Sequence, residues 1–176
     1  TEYLAEHGWN KFFHWYDYMS WYPLGRPVGT TIFPGMQITS VVLQQALAAA
    51  SRALGRPELL HTLNEVCCLV PVWFGVCATI AAALLTRECS KSYLSAALTA
   101  FVMAIVPAHL SRSVGGGYDN ESVAMTAMNL TFLTWVRALR PPTGGASNAD
   151  VSVATFDSYF FGALCGLMYV YMVAAW

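Results

Sequence analysis

Polar positions thin out along the second two-thirds of the chain until four stretches stand almost wholly apolar. A helix needs about 20 such residues to cross the hydrocarbon core of a bilayer. Residues 66–86 carry no charge, and residues 92–110 contain only His109, near their end. Residues 122–136 are short, but the neighbouring 118–121 and Arg137 can sit at the two interfaces. Residues 158–176 are uncharged and rich in aromatics. The pattern predicts an all-α polytopic membrane protein with about four transmembrane helices. Residues 31–53 are different. They carry Pro34, Gly35, Gln37, Thr39, Ser40, Gln44, Gln45, Ser51 and Arg52, too much polarity for a lipid-facing span. Gln37, Ser40 and Gln44 fall on one face at helical spacing, so this segment is expected to be an interfacial helix.

The basic residues orient the pattern. Arg87 and Lys91 lie between the first two spans, and Arg137 and Arg140 follow the third. Cytosolic loops carry the excess of Lys and Arg, which puts both pairs on the cytosolic side. The connection at 111–121 then faces the opposite, lumenal side. So does the aromatic N-terminal region, provided 31–53 does not span. The chain divides into a first lumenal loop with membrane-parallel helices, 1–62, and a transmembrane part, 63–176. The second contains the lumenal loop 111–121 and a Pro-, Gly- and Ser-rich cytosolic loop, 141–156.

Composition agrees with this picture. Of 176 residues 56% are hydrophobic and 11% charged, against about 25% charged in soluble domains. A net charge of −1 gives no basic field for nucleic acid. Cys67, Cys68, Cys77, Cys89 and Cys165 show no metal-ligand spacing and are expected to be small buried apolar residues. The chain opens on Thr1 in a polar-aromatic stretch and stops at Trp176 inside an apolar run, as a piece of a longer multi-span protein would.

The densest chemistry lies in Ser111-Arg112-Ser113-Val114-Gly115-Gly116-Gly117-Tyr118-Asp119-Asn120-Glu121. Ionisable groups at a membrane boundary are costly and are functional candidates. Asp119 and Glu121 repel unless something positive sits between them. A hard cation such as Mg²⁺ or Mn²⁺ prefers such oxygen donors. Arg112 adds a fixed charge that can hold a phosphate or a carboxylate. Gly115, Gly116 and Gly117 permit unusual backbone angles. A second reading stands beside the first: Asp119 caps the following helix, Glu121 answers the helix dipole, and Arg112 anchors at the interface.

This loop resembles the signature of the catalytic subunit of oligosaccharyltransferase, of eukaryotic type, typically S-R-S-V-A-G-S-Y-D-N-E. It differs only at Gly115 and Gly117, where the family usually has Ala and Ser. A second stretch, 13–26, resembles the family's first lumenal loop, with W-Y-P-L-G-R intact from Trp21 to Arg26. A weaker likeness, to Y-M-V-S-x-W, closes the chain at Tyr171 to Trp176. The resemblance runs in order along most of the chain and leaves 141–157 unmatched.

It implies a partial GT-C type transferase of the endoplasmic reticulum membrane with a lumenal active site. Such an enzyme moves an oligosaccharide from a dolichyl pyrophosphate carrier to Asn in Asn-x-Ser/Thr of an acceptor polypeptide, alongside other subunits. Asp119, Glu121 and Arg112 would be catalytic, with Asp119 and Glu121 at a Mn²⁺ or Mg²⁺ ion. Tyr118, Trp21, Tyr22 and Arg26 would meet substrate. The aromatic run from Trp9 to Tyr22 equally fits an ordinary interfacial belt. Asp17, His14 and His109 are expected to be structural. The family's first acidic motif, its later lumenal loop and its C-terminal acceptor-binding domain are not in this sequence, so the chain alone is not expected to be active. Two other classes remain open: a different lipid-phosphosugar glycosyltransferase, and a transporter with a cation site at Asp119 and Glu121.

Overall fold

The computed structural model describes residues 1–56, 61–140 and 156–176. The cytosolic connection expected at 141–156 therefore lies, apart from Phe156, outside the described residues. The chain is mostly helical. The order is α1 (Glu2–Phe13), β1 (Tyr16–Asp17), β2 (Arg26–Pro27), α2 (Val28–Thr31), α3 (Gly35–Ala53), α4 (Leu63–Ser90), α5 (Tyr93–Ile105), α6 (Pro107–Arg112), α7 (Glu121–Ala138) and α8 (Phe156–Ala175).

The strands depart from the all-α expectation. They form one antiparallel ribbon pairing Tyr16 with Pro27 and Asp17 with Arg26. Asp17 closes the turn above it, accepting the Met19 N–H at 2.9 Å and the Ser20 hydroxyl at 2.6 Å. Those bonds, the Ser20 hydroxyl foremost, hold its carboxyl below the usual range.

α4 begins at a capping box. Thr62 Oγ1 accepts the Glu65 N–H at 3.3 Å, and Glu65 Oε2 accepts the Thr62 N–H at 2.9 Å. It ends at Lys91, in left-handed backbone with φ 57°. α5 starts on a Ser92 cap. The single span expected at 92–110 is instead broken. Pro107 has no N–H to donate and pushes Val106 into extended backbone, so α5 stops at Ile105 and α6 restarts with proline in its first turn.

Among the described residues two helices, α4 and α8, are long and apolar enough to cross a membrane, and α5 is apolar but shorter. Their outward faces are bare of protein: Val76 and Ile80 on α4, and Phe160, Leu167 and Val170 on α8, all lie more than half exposed. Such surface belongs in lipid or against further protein. α7 packs between α4 and α8, and α5 packs on α4. It is the most polar of the four, and its hydroxyls are turned inward. Thr126, Thr131 and Thr134 donate to their own preceding turns, and Thr126 also donates to the Phe74 carbonyl across the interface at 2.7 Å. Small residues bring the backbones close, with Ala78 and Ala81 on α4 and Ala124 and Ala127 on α7 fully buried. This is the packing mode expected where lipid removes the hydrophobic drive between helices.

The expected helix at 31–53 is present as α3, but its polar face is not all turned to solvent. Ser40 is fully buried, donating to the Met36 carbonyl, and Thr39 meets the Tyr171 hydroxyl at 2.6 Å. One core cluster, Met36, Val66, Val70, Val123, Ala124 and Ala175, joins α3, α4, α7 and α8 at the end where residues 113–120 sit. A second, Leu4, Phe12 and Val28, holds the N-terminal region together. Among the described residues the five cysteines are all free thiols. None of them is buried as expected: Cys67, Cys68 and Cys165 are half-buried, and Cys77 and Cys89 are exposed.

Candidate functional site

The acidic loop is a built structure between α6 and α7. Gly116 donates its N–H to the Cys68 carbonyl of α4 at 3.0 Å. Tyr118 sends its hydroxyl inward, 2.7 Å from Ser40 of α3 and 2.8 Å from Thr1. Burial pushes that phenol up to about 12, so it stays neutral. Asn120 donates its side-chain amide to the Ala175 carbonyl at the end of α8, at 2.9 Å. The loop is thus tied to α3, α4 and α8 as well as to the helices it connects.

Only one of the three consecutive glycines needs to be glycine for its backbone. Gly116 has φ 83°, whereas a side chain at Gly115 would meet nothing closer than 3.7 Å, and one at Gly117 would touch the Val114 side chain at 3.0 Å. Gly116→Ala is expected to destabilise the loop by about 1–2 kcal/mol, and Gly115→Ala by less than about 0.5 kcal/mol. Thermal unfolding of the two variants side by side checks this, and equal losses would refute it.

Arg112, at the end of α6, lies between the two carboxylates. Its Nη1 donates to Asp119 Oδ2 at 2.5 Å and its Nε to Glu121 Oε2 at 2.7 Å. The charge needed between Asp119 and Glu121 is therefore supplied within the chain. Asp119 Oδ1 also accepts the Asn120 N–H at 2.8 Å. The helix cap itself falls on Asn120, not Asp119, and Glu121 is the first residue of α7. All three side chains are a third to half exposed, so the cluster faces outward and remains accessible. Two oxygen-donor carboxylates on one edge suit a hard divalent ion in kind. They do not suffice in number: among the described residues no third Asp, Glu, His or Cys joins them.

The structure brings Arg112, Asp119 and Glu121 together, with Tyr118 anchoring the loop beneath them. Trp21, Tyr22 and Arg26 sit elsewhere, on the tip and foot of the β1–β2 hairpin. Trp21 and Tyr22 are largely exposed, and Trp21 has left-handed backbone, φ 55°. Arg26 donates to Thr31 Oγ1 at 2.8 Å and lies over the Trp21 ring. Among the described residues no hydrogen bond or ion pair links these three to the acidic loop. His14 takes a place at the end of α1, its Nδ1 2.8 Å from the Asn10 carbonyl. His109 joins α6 to α4, 3.2 Å from the Gly75 carbonyl and 3.3 Å from Thr79.

Sequence reasoning missed two parts of the arrangement. Ser40 supports the site from 78 residues away, and only the inward turn of the α3 polar face could have signalled it. Glu88 gathers Lys91, Arg137 and Arg140 at the opposite end of the bundle, with Lys91 Nζ and Arg140 Nη1 each 3.0 Å from Oε1. The two charged groupings therefore sit at opposite ends of α4 and α7.

The whole chain, residues 1–176, matches the sequence profile of a family described as oligosaccharyl transferase STT3, N-terminal. It is 39% identical over its full length to the dolichyl-diphosphooligosaccharide–protein glycosyltransferase subunit STT3B of rice, Oryza sativa subsp. japonica, covering 21% of that protein. It is 36% identical, over 98% of its length, to the stt3 subunit of the same transferase from Schizosaccharomyces pombe, covering 20% of it. It is 36% identical, over its whole length, to the Caenorhabditis elegans subunit stt-3, again covering 20%. The chain thus spans about one fifth of the length of the curated relatives it matches. On the strength of that full-length match, the chain belongs to the oligosaccharyl transferase STT3 N-terminal family.

Proposed function

We propose that this chain supplies part of the active site of an oligosaccharyltransferase catalytic subunit, a multi-pass protein of the endoplasmic reticulum membrane with about four spans in this region and GT-C architecture. Its reaction is transfer of an oligosaccharide from dolichyl pyrophosphate to Asn in Asn-x-Ser/Thr. Residues 1–62 form the first lumenal loop, and 63–176 the spanning part with the acidic loop on its lumenal face. The observation that carries this reading is the Arg112 fork on Asp119 and Glu121, in a loop braced by three other helices.

The chemistry follows from what the acceptor lacks. A carboxamide nitrogen is a poor nucleophile, because its lone pair is delocalised into the carbonyl. A carboxylate that accepts hydrogen bonds from that nitrogen weakens the delocalisation, and Asp119 and Glu121 are placed to offer oxygens at one edge. Arg112 holds the two carboxylates at fixed spacing and presents its remaining N–H groups to a phosphate or carboxylate oxygen. Asp119 and Glu121 would be the ligands of a Mn²⁺ or Mg²⁺ ion, with further ligands from outside this chain. Such an ion supplies stabilisation of the charge that develops on the pyrophosphate leaving group. Trp21, Tyr22 and Arg26 offer an aromatic and cationic surface for lipid or sugar.

The test is glycan transfer by the full-length protein, with its partner subunits, from a dolichyl pyrophosphate donor to an Asn-x-Thr peptide. Glycopeptide is expected with Mn²⁺ or Mg²⁺ and not with chelator, and this chain alone should form none. Transfer of sugar to a non-peptide acceptor would favour another lipid-phosphosugar transferase. Cation transport without transfer would replace the assignment with a transporter.

A further inference from the structure

We infer that the end of the bundle opposite the acidic loop is a binding site for the phosphate of an anionic phospholipid headgroup. Four cations, Arg87, Lys91, Arg137 and Arg140, gather there from α4, the α4–α5 turn and the end of α7. Glu88 is the carboxylate that three of them share, with Arg137 Nε 3.6 Å from Oε2. Arg87 instead donates to the Tyr93 hydroxyl at 2.6 Å and lies over its ring. Asp157, on the first turn of α8 at the same end, forms no ion pair with any of them among the described residues.

The burial of the cluster is lopsided. Glu88 is only 12% exposed, whereas Lys91 is 57% and the two arginines 44% exposed. The carboxylate lies underneath and the cations form the rim, so the field leaving the protein is positive. Helix dipoles do not cancel it. α4 and α7 end here and α5 and α8 begin here, so two negative and two positive helix ends offset one another. The rim also sits at a defined depth, because the helices leading to it are apolar with bare outer faces. Cations at the end of such helices lie where lipid phosphates lie. Arg137, stacked on the Phe161 ring at 4.9 Å, is held there by the apolar side of α8.

The competing explanation is a network that only ties α4 to α7. The two differ in the sign of one variant. If Glu88 exists only to pair the cations, Glu88→Gln weakens the protein and does nothing for lipid. If the rim binds phosphate, Glu88→Gln frees cations for it and strengthens binding.

The experiment uses the full-length protein in phosphatidylcholine nanodiscs doped with spin-labelled phosphatidylserine or spin-labelled phosphatidylcholine, and measures the motionally restricted fraction of each label. Phosphatidylserine is expected to be enriched over phosphatidylcholine, the enrichment falling roughly fivefold for each cation lost in Lys91→Gln and Arg140→Gln. It should rise in Glu88→Gln. Lys91→Arg should preserve it, which separates loss of charge from loss of fold. Inorganic phosphate should leave the spectra unchanged. Equal restriction of the two labels, enrichment indifferent to the glutamine variants, or displacement by inorganic phosphate would each overturn the assignment.

Discussion

Asp119→Ala in the full-length protein is expected to lower glycan transfer by about 10²–10³-fold while leaving expression and membrane insertion intact. The reason is the division of labour within one carboxylate. Oδ1 accepts the Asn120 N–H, which is a local structural bond, and Oδ2 faces Arg112 in the open part of the site. Asp119→Asn keeps an acceptor for the Asn120 N–H but removes the charge. It should therefore fold as the native chain does and fail as badly as alanine. The half-exposed ion pair with Arg112 is worth no more than about 1 kcal/mol to stability, so neither variant should unfold the protein. Near-native transfer by either variant, measured on a sequon peptide with the purified complex, would remove Asp119 from the chemistry.

Gly35→Val is expected to lower stability by about 2–3 kcal/mol, from overpacking a helix contact that cannot give way. A side chain at Gly35 would lie 2.7 Å from the Ala174 carbonyl and the Ala175 nitrogen, which are backbone. Relief requires α3 to slide off the end of α8. That movement carries away the Ser40–Tyr118 and Thr39–Tyr171 hydrogen bonds and exposes Met36. The loss should appear as a lower unfolding temperature of the full-length protein in detergent, accompanied by reduced transfer. Gly162→Val, where open space surrounds the position within the described residues, serves as the control of equal chemistry. Equal melting of the two variants would show that the α3–α8 contact does not govern the site.

The helices were legible because long apolar runs at this spacing favour helix, and the two basic pairs assigned to one side do lie at one end of the bundle. The resemblance carried by Trp21–Arg26 and 111–121 was legible for a different reason: those motifs are long and ordered, and the whole chain follows them. What stayed hidden was set by contacts between distant residues. The break at Val106 required weighing a single proline against a nineteen-residue apolar run. The buried role of Ser40 depended on Tyr118, far along the chain. Periodicity suggested a solvent-facing stripe because it reports which residues share a face, not what that face meets. The choice between a helix cap and a charge site at Asp119 also lay beyond the sequence, because both need the same residue types. In the structure Asn120 is the cap, and Asp119 both receives its N–H and pairs with Arg112.

The Arg112 fork also bears on the order in which this protein is made. Two carboxylates brought together by a newly inserted helix would push the loop open if nothing answered their charge. Here the counterion comes from the chain itself, seven residues before Asp119 at the end of α6. The loop can close against α3, α4 and α8 without waiting for any ion from the compartment it faces. The fold of the loop is thus carried by bonds and charges that the chain itself provides.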